Sequence, residues 1–454
     1  MNNNLNIFDL LLPPFYLVIV IYYGYVVKNK NLKKNPEYEY FLMGLIARVL
    51  GAVFLGIIYF FYYGGGDTIN YHKSSVAYAK LLFVNTEDFW TGWFGNVKYN
   101  YLAFNEFTGF PTFRPTDKHA FFVVRLLIPI VSLGFYSYFT SAILTAVITY
   151  GGLWKLYQTF LAEFPYLKRE MAIACLFIPS CVFWGSGLMK DSFTISAVGW
   201  FTYSFYNLFI KRSWKPKFFL FLFISSFIII AIKPYIFFAL LPGAILWMSS
   251  SSIKKIYNPY LRALASPVLL LLAGLTGYYA LSQIGDSLGV YKVDTVLDRA
   301  VIVQQDMKAD YYGGNTFDIG DFDASITGIL SKAPTAIFAG IFRPGLWDVR
   351  NPVMLVSALE NTYLLLLSFF LLFKLKFLGF FRYINKNSMI LFSVMFSLFF
   401  AFSVGLTCAN FGSLVRLRIP ELPFFVASLF AIRYHYEKTI EKKESERAKI
   451  KDAG

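Results

Sequence analysis

Runs of about 20 mostly apolar residues recur from one end of this chain to the other, and each is long enough to cross the hydrocarbon of a bilayer. Nothing in lipid can partner a free backbone group, so every such run must be a helix. Of the 454 residues, 57% are hydrophobic and only 15% are charged, whereas a soluble domain carries about 25% charged residues. With a mean hydropathy of +0.53, the chain has too little charged surface to cover a core of this size in water. A cytosolic enzyme, a disulfide scaffold and a disordered chain are excluded. The expected fold class is an all-α polytopic membrane protein.

Apolar runs fall roughly at 9–27, 41–62, 137–158, 171–188, 193–210, 218–232, 235–249, 263–282, 352–373, 388–407 and 419–434. That gives about eleven transmembrane helices, with a hinge at Lys233-Pro234. Basic residues follow the odd-numbered spans: Lys28, Lys30, Lys33 and Lys34 after the first, Lys168 and Arg169 after the third, Lys211 and Arg212 after the fifth. Positive loops stay inside, so the N-terminus is expected outside and the tail from Arg433 inside. The stretch 119–135, which carries Arg125 and Pro129, is read as interfacial, because a span there would reverse the later basic loops. Two long outer-face loops remain. In the first, 63–119, the segments 74–84 and 88–104 read as interfacial helices anchored by Trp90 and Trp93.

The net charge of +15 reflects these inner loops and calls for no nucleic acid. Cys175, Cys181 and Cys408 lie in apolar surroundings without metal-site spacing and read as packing residues. No basic residue precedes Lys28, so the first apolar run lacks the positive region of a cleaved signal peptide and reads as a retained anchor.

Charged residues beside the outer ends of these spans are the candidates for chemistry. Asp67 follows Gly64-Gly65-Gly66, three residues that let the backbone turn sharply. Its carboxylate reads as a general base or a metal ligand, or as a loop acid that ends a helix. His72, five residues on, is a phosphate donor, a second ligand or a structural polar residue. Asp191 ends the run Pro179-Ser180-Cys181-Val182-Phe183-Trp184-Gly185-Ser186-Gly187-Leu188-Met189-Lys190-Asp191. A Lys190–Asp191 pair so near hydrocarbon is costly unless it is paired or lines a wet cavity, and Asp191 also suits a helix N-cap. In the run from Asn410 to Pro420, Arg416 and Arg418 suit a lipid-borne phosphate or snorkel to headgroups, and the sequence does not separate them. Arg343 or Arg350 could reinforce the same anion site, Glu360 should pair inside the bundle, and Lys233 is a further outer-edge cation.

Carboxylates and cations on one side of a membrane suit transfer of a group from an anionic lipid carrier. No phosphate-binding glycine loop and no His-Glu-x-x-His or Gly-x-Ser-x-Gly pattern occurs, which argues against a soluble nucleotide donor. Two other classes remain: a polymerase or ligase for lipid-diphosphate-linked glycans, which would depend on the outer arginines, and a non-enzymatic transport or secretion component. The chain lacks inverted halves with matching broken helices, which argues against transport.

On these residues the chain resembles the GT-C integral-membrane glycosyltransferases, over roughly Phe41 to Phe425. Asp67 with Tyr71 is similar to the acidic position of that family's first outer loop, and Asp191 to a second acidic position in a later loop. The Pro179–Asp191, Phe342–Asp348 and Asn410–Pro420 runs also resemble bacterial envelope-polysaccharide membrane proteins. The resemblance implies transfer of a sugar from a polyprenyl-phosphate carrier to a glycan, lipid or protein acceptor, at the outer face of the bacterial cytoplasmic membrane. It implies Asp67 as base, Asp191 orienting a base or the acceptor, and His72, Tyr71, Lys190, Arg343, Arg416 and Arg418 binding substrate or its phosphate. One acid where the family carries an adjacent pair favours metal-free inverting transfer over a divalent metal, and no other cofactor is implied. The implied layout is 1–40 as an added N-terminal span and cytoplasmic loop, 41–282 as the GT-C-like core, 283–351 as an outer loop, 352–434 as C-terminal spans and 435–454 as a charged cytoplasmic tail.

Overall fold

The computed structural model describes residues 7–95, 101–258, 260–261, 264–265, 267–269, 271, 293–307 and 315–452. Among them the chain is helical and forms no strand, apart from an isolated antiparallel bridge between Thr316 and Asn410. The expected span at 263–282 and the neighbouring 283–292 lie largely outside the described residues, as do 96–100 and 308–314. The chain forms two compact units, 1–159 with 175–234, and 160–174 with 235–454.

The first unit begins with α1 (Phe8–Leu32) and α2 (Glu39–Ile57), the latter continued by one wide π-type turn through Tyr62. Together with the helices of 352–384 and 388–407 in the second unit, 8–32 and 36–62 are long and apolar enough to cross a membrane. Most of α1 presents exposed apolar side chains, as a lipid-facing helix should. Arg48, midway along α2, is fully buried, and its guanidinium donates to the Cys181 carbonyl (3.1 Å) and the Thr149 hydroxyl (3.2 Å).

Next come α3 (Asp67–Val84), α4 (Thr86–Trp93), α5 (Lys118–Leu133) and α6 (Tyr138–Glu163). The stretch read as interfacial is the helix α5, which buries Phe121, Val124 and Leu127 and packs on α3. It bends into α6 through 114°. At the corner Phe135 and Tyr136 adopt left-handed φ values of 51° and 60°, unusual for bulky residues. Tyr16 donates from α1 to the Leu133 carbonyl (2.7 Å) and the Asp9 carboxylate accepts from the Tyr138 N–H (2.6 Å), so α1 is tied to this corner.

The run at 171–188 departs from the single helix that its hydropathy suggests. After α7 (Lys168–Ala172), which belongs to the second unit, it widens into a π-type turn over Ile173–Phe177, breaks at Ile178, and resumes only as α8 (Pro179–Trp184) in the first. Pro179 has no N–H to donate and forces Ile178 into an extended conformation (φ −61°, ψ 120°). The first unit closes with α9 (Lys190–Phe205) and α10 (Pro216–Ile232), an antiparallel pair joined by a short turn.

In the second unit, α11 (Pro234–Lys254) and α12 (Val293–Asp306) precede α13 (Ile326–Ser331) and α14 (Ala333–Phe342). Then come α15 (Pro352–Ile384), kinked at Lys376, α16 (Ser388–Thr407), α17 (Phe411–Leu417) and α18 (Leu422–Asp452). Helices α14 and α16 touch backbone to backbone: a Cβ on Gly405 would stand 1.9 Å from the Ala336 carbonyl oxygen. Aromatic rings fill the rest, with Trp247 on Phe392 at 4.8 Å and Phe396 on Phe424 at 4.9 Å. All three cysteines are buried.

Candidate functional site

Three aspartates in the first unit each open a helix: Asp67 in the first turn of α3, Asp117 as the N-cap of α5, and Asp191 in the first turn of α9. Acids belong there, because the unpaired N–H groups of a helix start carry partial positive charge. The glycine turn before Asp67 has a backbone requirement, since Gly64, Gly65 and Gly66 have φ values of 66°, 156° and 123°. A Cβ on Gly66 would also stand 2.8 Å from the Tyr59 ring. The carboxylate of Asp117 accepts from the Ala120 N–H (3.0 Å), while His119 in the same turn bonds the Ala231 carbonyl through Nδ1 (2.8 Å).

Asp191 is 1% exposed, and its Oδ1 accepts from Lys233 Nζ at 2.5 Å. The sequence explains this pair. Because α9 and α10 run antiparallel, the start of one meets the end of the other. Lys233 ends α10 with non-helical φ and ψ of −145° and 81°, and Pro234 follows it. Asp191 thus sits at the positive end of one helix and Lys233 at the negative end of its neighbour. The sequence marks Lys233 as an outer-edge cation, and the structure buries it to 6% exposure.

Lys190 occupies the first position of α9, where a cation opposes the helix dipole. It makes no hydrogen bond or ion pair among the described residues. Burial lowers its pKa from the ordinary lysine value, and Asp117, Asp191 and Asp67 oppose that shift, while Lys233 adds to it. Asp67, Asp117 and Asp191, widely separated in sequence, are therefore brought into the electrostatic surroundings of one ammonium group. Asp117 is not among the candidates that the sequence singles out, although an Asp directly before an apolar helical run is a recognisable N-cap signal.

Tyr71 and His72 face other partners. Tyr71 is 3% exposed and its ring stacks on Phe113 at 4.3 Å. His72 lies edge-on to the Tyr138 ring at 5.4 Å, and its Nε2 is buried without a hydrogen-bond partner. The Tyr138 hydroxyl and the Thr68 hydroxyl are 2.8 Å apart.

The remaining candidates lie in the second unit. Arg343 gives Asp348 a two-pronged bond, Nε to Oδ2 at 3.1 Å and a terminal nitrogen to Oδ1 at 2.6 Å. Its guanidinium also lies 5.0 Å from the Phe317 and Phe411 ring centres. The structure separates the two arginines that the sequence left equivalent. Arg418 is fully buried, donating to the Ile341 (3.0 Å) and Arg343 (3.1 Å) carbonyls and to Asn361 Oδ1, with Glu360 at 3.8 Å. Arg416 is half-buried, and Arg350 is exposed. Asn361 also donates to the Pro344 carbonyl (2.7 Å), so this corner is held from both sides. Among the described residues no three His, Cys, Asp or Glu side chains are grouped to hold a metal ion.

No protein-family profile, curated protein or solved structure matches the chain.

Proposed function

We propose that this chain is a membrane glycosyltransferase, with the architecture of the GT-C class, that moves a sugar from a polyprenyl-phosphate carrier to a glycan, lipid or protein acceptor at the outer face of a bacterial cytoplasmic membrane. The observation that carries the reading is Lys190, an ammonium group that makes no ion pair among the described residues and feels the charge of three helix-opening carboxylates. A cation kept at the wrong end of a helix costs stability, and an anionic substrate group is what it is suited to meet.

Asp67 is half-buried at the mouth of the glycine turn and is the base in this reading. It takes the proton of an acceptor hydroxyl while that oxygen forms a bond to the anomeric carbon. The bond from that carbon to the carrier phosphate breaks, the electron pair leaves with the phosphate, and Lys190 offsets the new charge. Asp191, held by Lys233, fixes the start of α9 and with it Lys190. The polymerase reading draws less support, since the guanidinium groups of Arg343 and Arg418 are already engaged within the protein.

The test is Asp67→Asn in the native host. Envelope glycan product should fall by about 100-fold or more, the usual scale for losing a general base, while the amount of protein in the membrane stays unchanged. Undiminished product would remove Asp67 from the mechanism.

A further inference from the structure

The second unit contains a buried acid that the proposed transfer does not use. Glu421 lies in the turn between α17 and α18, is 1% exposed, and neither of its carboxyl oxygens has a hydrogen-bond partner among the described residues. Arg418 is the charge it feels. The charged terminal nitrogens of that arginine are committed elsewhere, to the Ile341 and Arg343 carbonyls and to Asn361, with Glu360 at 3.8 Å. Two carboxyl groups thus share the surroundings of one guanidinium.

Few other charges can help. Helix α16, packed against α18, carries no titratable side chain. From α15 the charged group at this corner is Glu360, and beyond it Arg343 is closed on Asp348. The charges of α7 belong to the other end of the contact, where Glu170 acts on Arg433. A buried carboxylate with no donor and no pair of its own is strongly disfavoured against its neutral acid.

We propose that Glu421 is a proton-binding site, a carboxyl that stays neutral while the Arg418 corner is closed. Losing the proton to water would place a second carboxylate beside Arg418. That carboxylate would compete with the Ile341 and Arg343 carbonyls for the guanidinium and loosen the turn that carries Arg343 and Asp348. The ligand is the proton itself, and the inference stands apart from the transferase reading.

The sign of the pH dependence follows. The native carboxyl keeps its proton above the pH at which the unfolded one, near about 4.3, releases it. Its contribution to stability is therefore complete below about that pH and is lost as pH rises toward the native value. The experiment compares Tm of the full-length protein and Glu421→Gln in the same detergent from acid to alkaline pH. Gln mimics the neutral acid, so the difference should move in the variant's favour as pH rises. A difference that does not change with pH overturns the proposal. If the variant does not fold, the wild-type protein decides by treatment with dicyclohexylcarbodiimide near neutral pH. A neutral carboxyl adds its O–H across the reagent and rearranges to an N-acylurea, so a Glu421 peptide carrying the mass of one carbodiimide is expected. A Glu421 peptide recovered unmodified overturns it.

Discussion

Lys233 and Asp191 illustrate how little a single residue says without its partner. Each alone reads as a membrane-edge charge, yet together they form a pair with almost no access to water. Removing one member of such a pair leaves a buried charge, which costs about 3–5 kcal/mol. Lys233→Ala should therefore lower Tm sharply, and combining Lys233→Met with Asp191→Asn should restore most of the loss. An unchanged Tm for Lys233→Ala would contradict the pairing. His72 gives a second test at this scale. Burial lowers its pKa from 6.5 to about 4, against the opposing charge of Asp9. Between those values the unfolded chain binds more protons, so this contribution to stability is full above about pH 6.5 and is lost as pH falls toward 4. His72→Gln should flatten that acid-side fall in Tm, and a slope equal to wild type would contradict the assignment. Asp67, Asp191 and Lys190 stand out in the sequence by their unusual places next to apolar runs. The difference between Arg416 and Arg418 was not, because it depends on which carbonyls a distant corner leaves open.

At the scale of elements, hydropathy marks where helices are but not where they break. The hinge at Lys233-Pro234 was legible, since proline cannot continue the hydrogen-bond ladder. The breaks at Ile173–Phe177 and Ile178 lie inside a run of uniform hydropathy, where Pro179 was the one local clue. Charge balance alone places the stretch 119–135 at the interface. Its packing against α3 and its sharp bend into α6 rest on tertiary contacts that charge counting does not contain. The glycine turn is the element on which the candidate base depends. Gly66→Ala places a side chain at φ 123° and against the Tyr59 ring. It should cost about 1–3 kcal/mol and lower activity further than the stability loss explains, because α3 then starts in a different direction. Wild-type Tm and activity in this variant would show that the turn does not position Asp67.

For the whole molecule, composition alone established a helical chain with helices long and apolar enough to cross a membrane. The division into two units was not visible, since the chain leaves the first unit at 160 and returns at 175 without any change of composition. The proposed chemistry rests on the first of these units, where carboxylates from three separate helices act electrostatically on Lys190. The most direct test uses purified full-length protein in lipid nanodiscs with a radiolabelled polyprenyl-phosphate sugar. Wild-type protein should retain the donor, Asp67→Asn should retain it without consuming it, and Lys190→Gln should bind it at least about tenfold more weakly, a loss of about 1.4 kcal/mol. Equal retention by wild type and Lys190→Gln would contradict the account, as would wild-type protein that holds no donor.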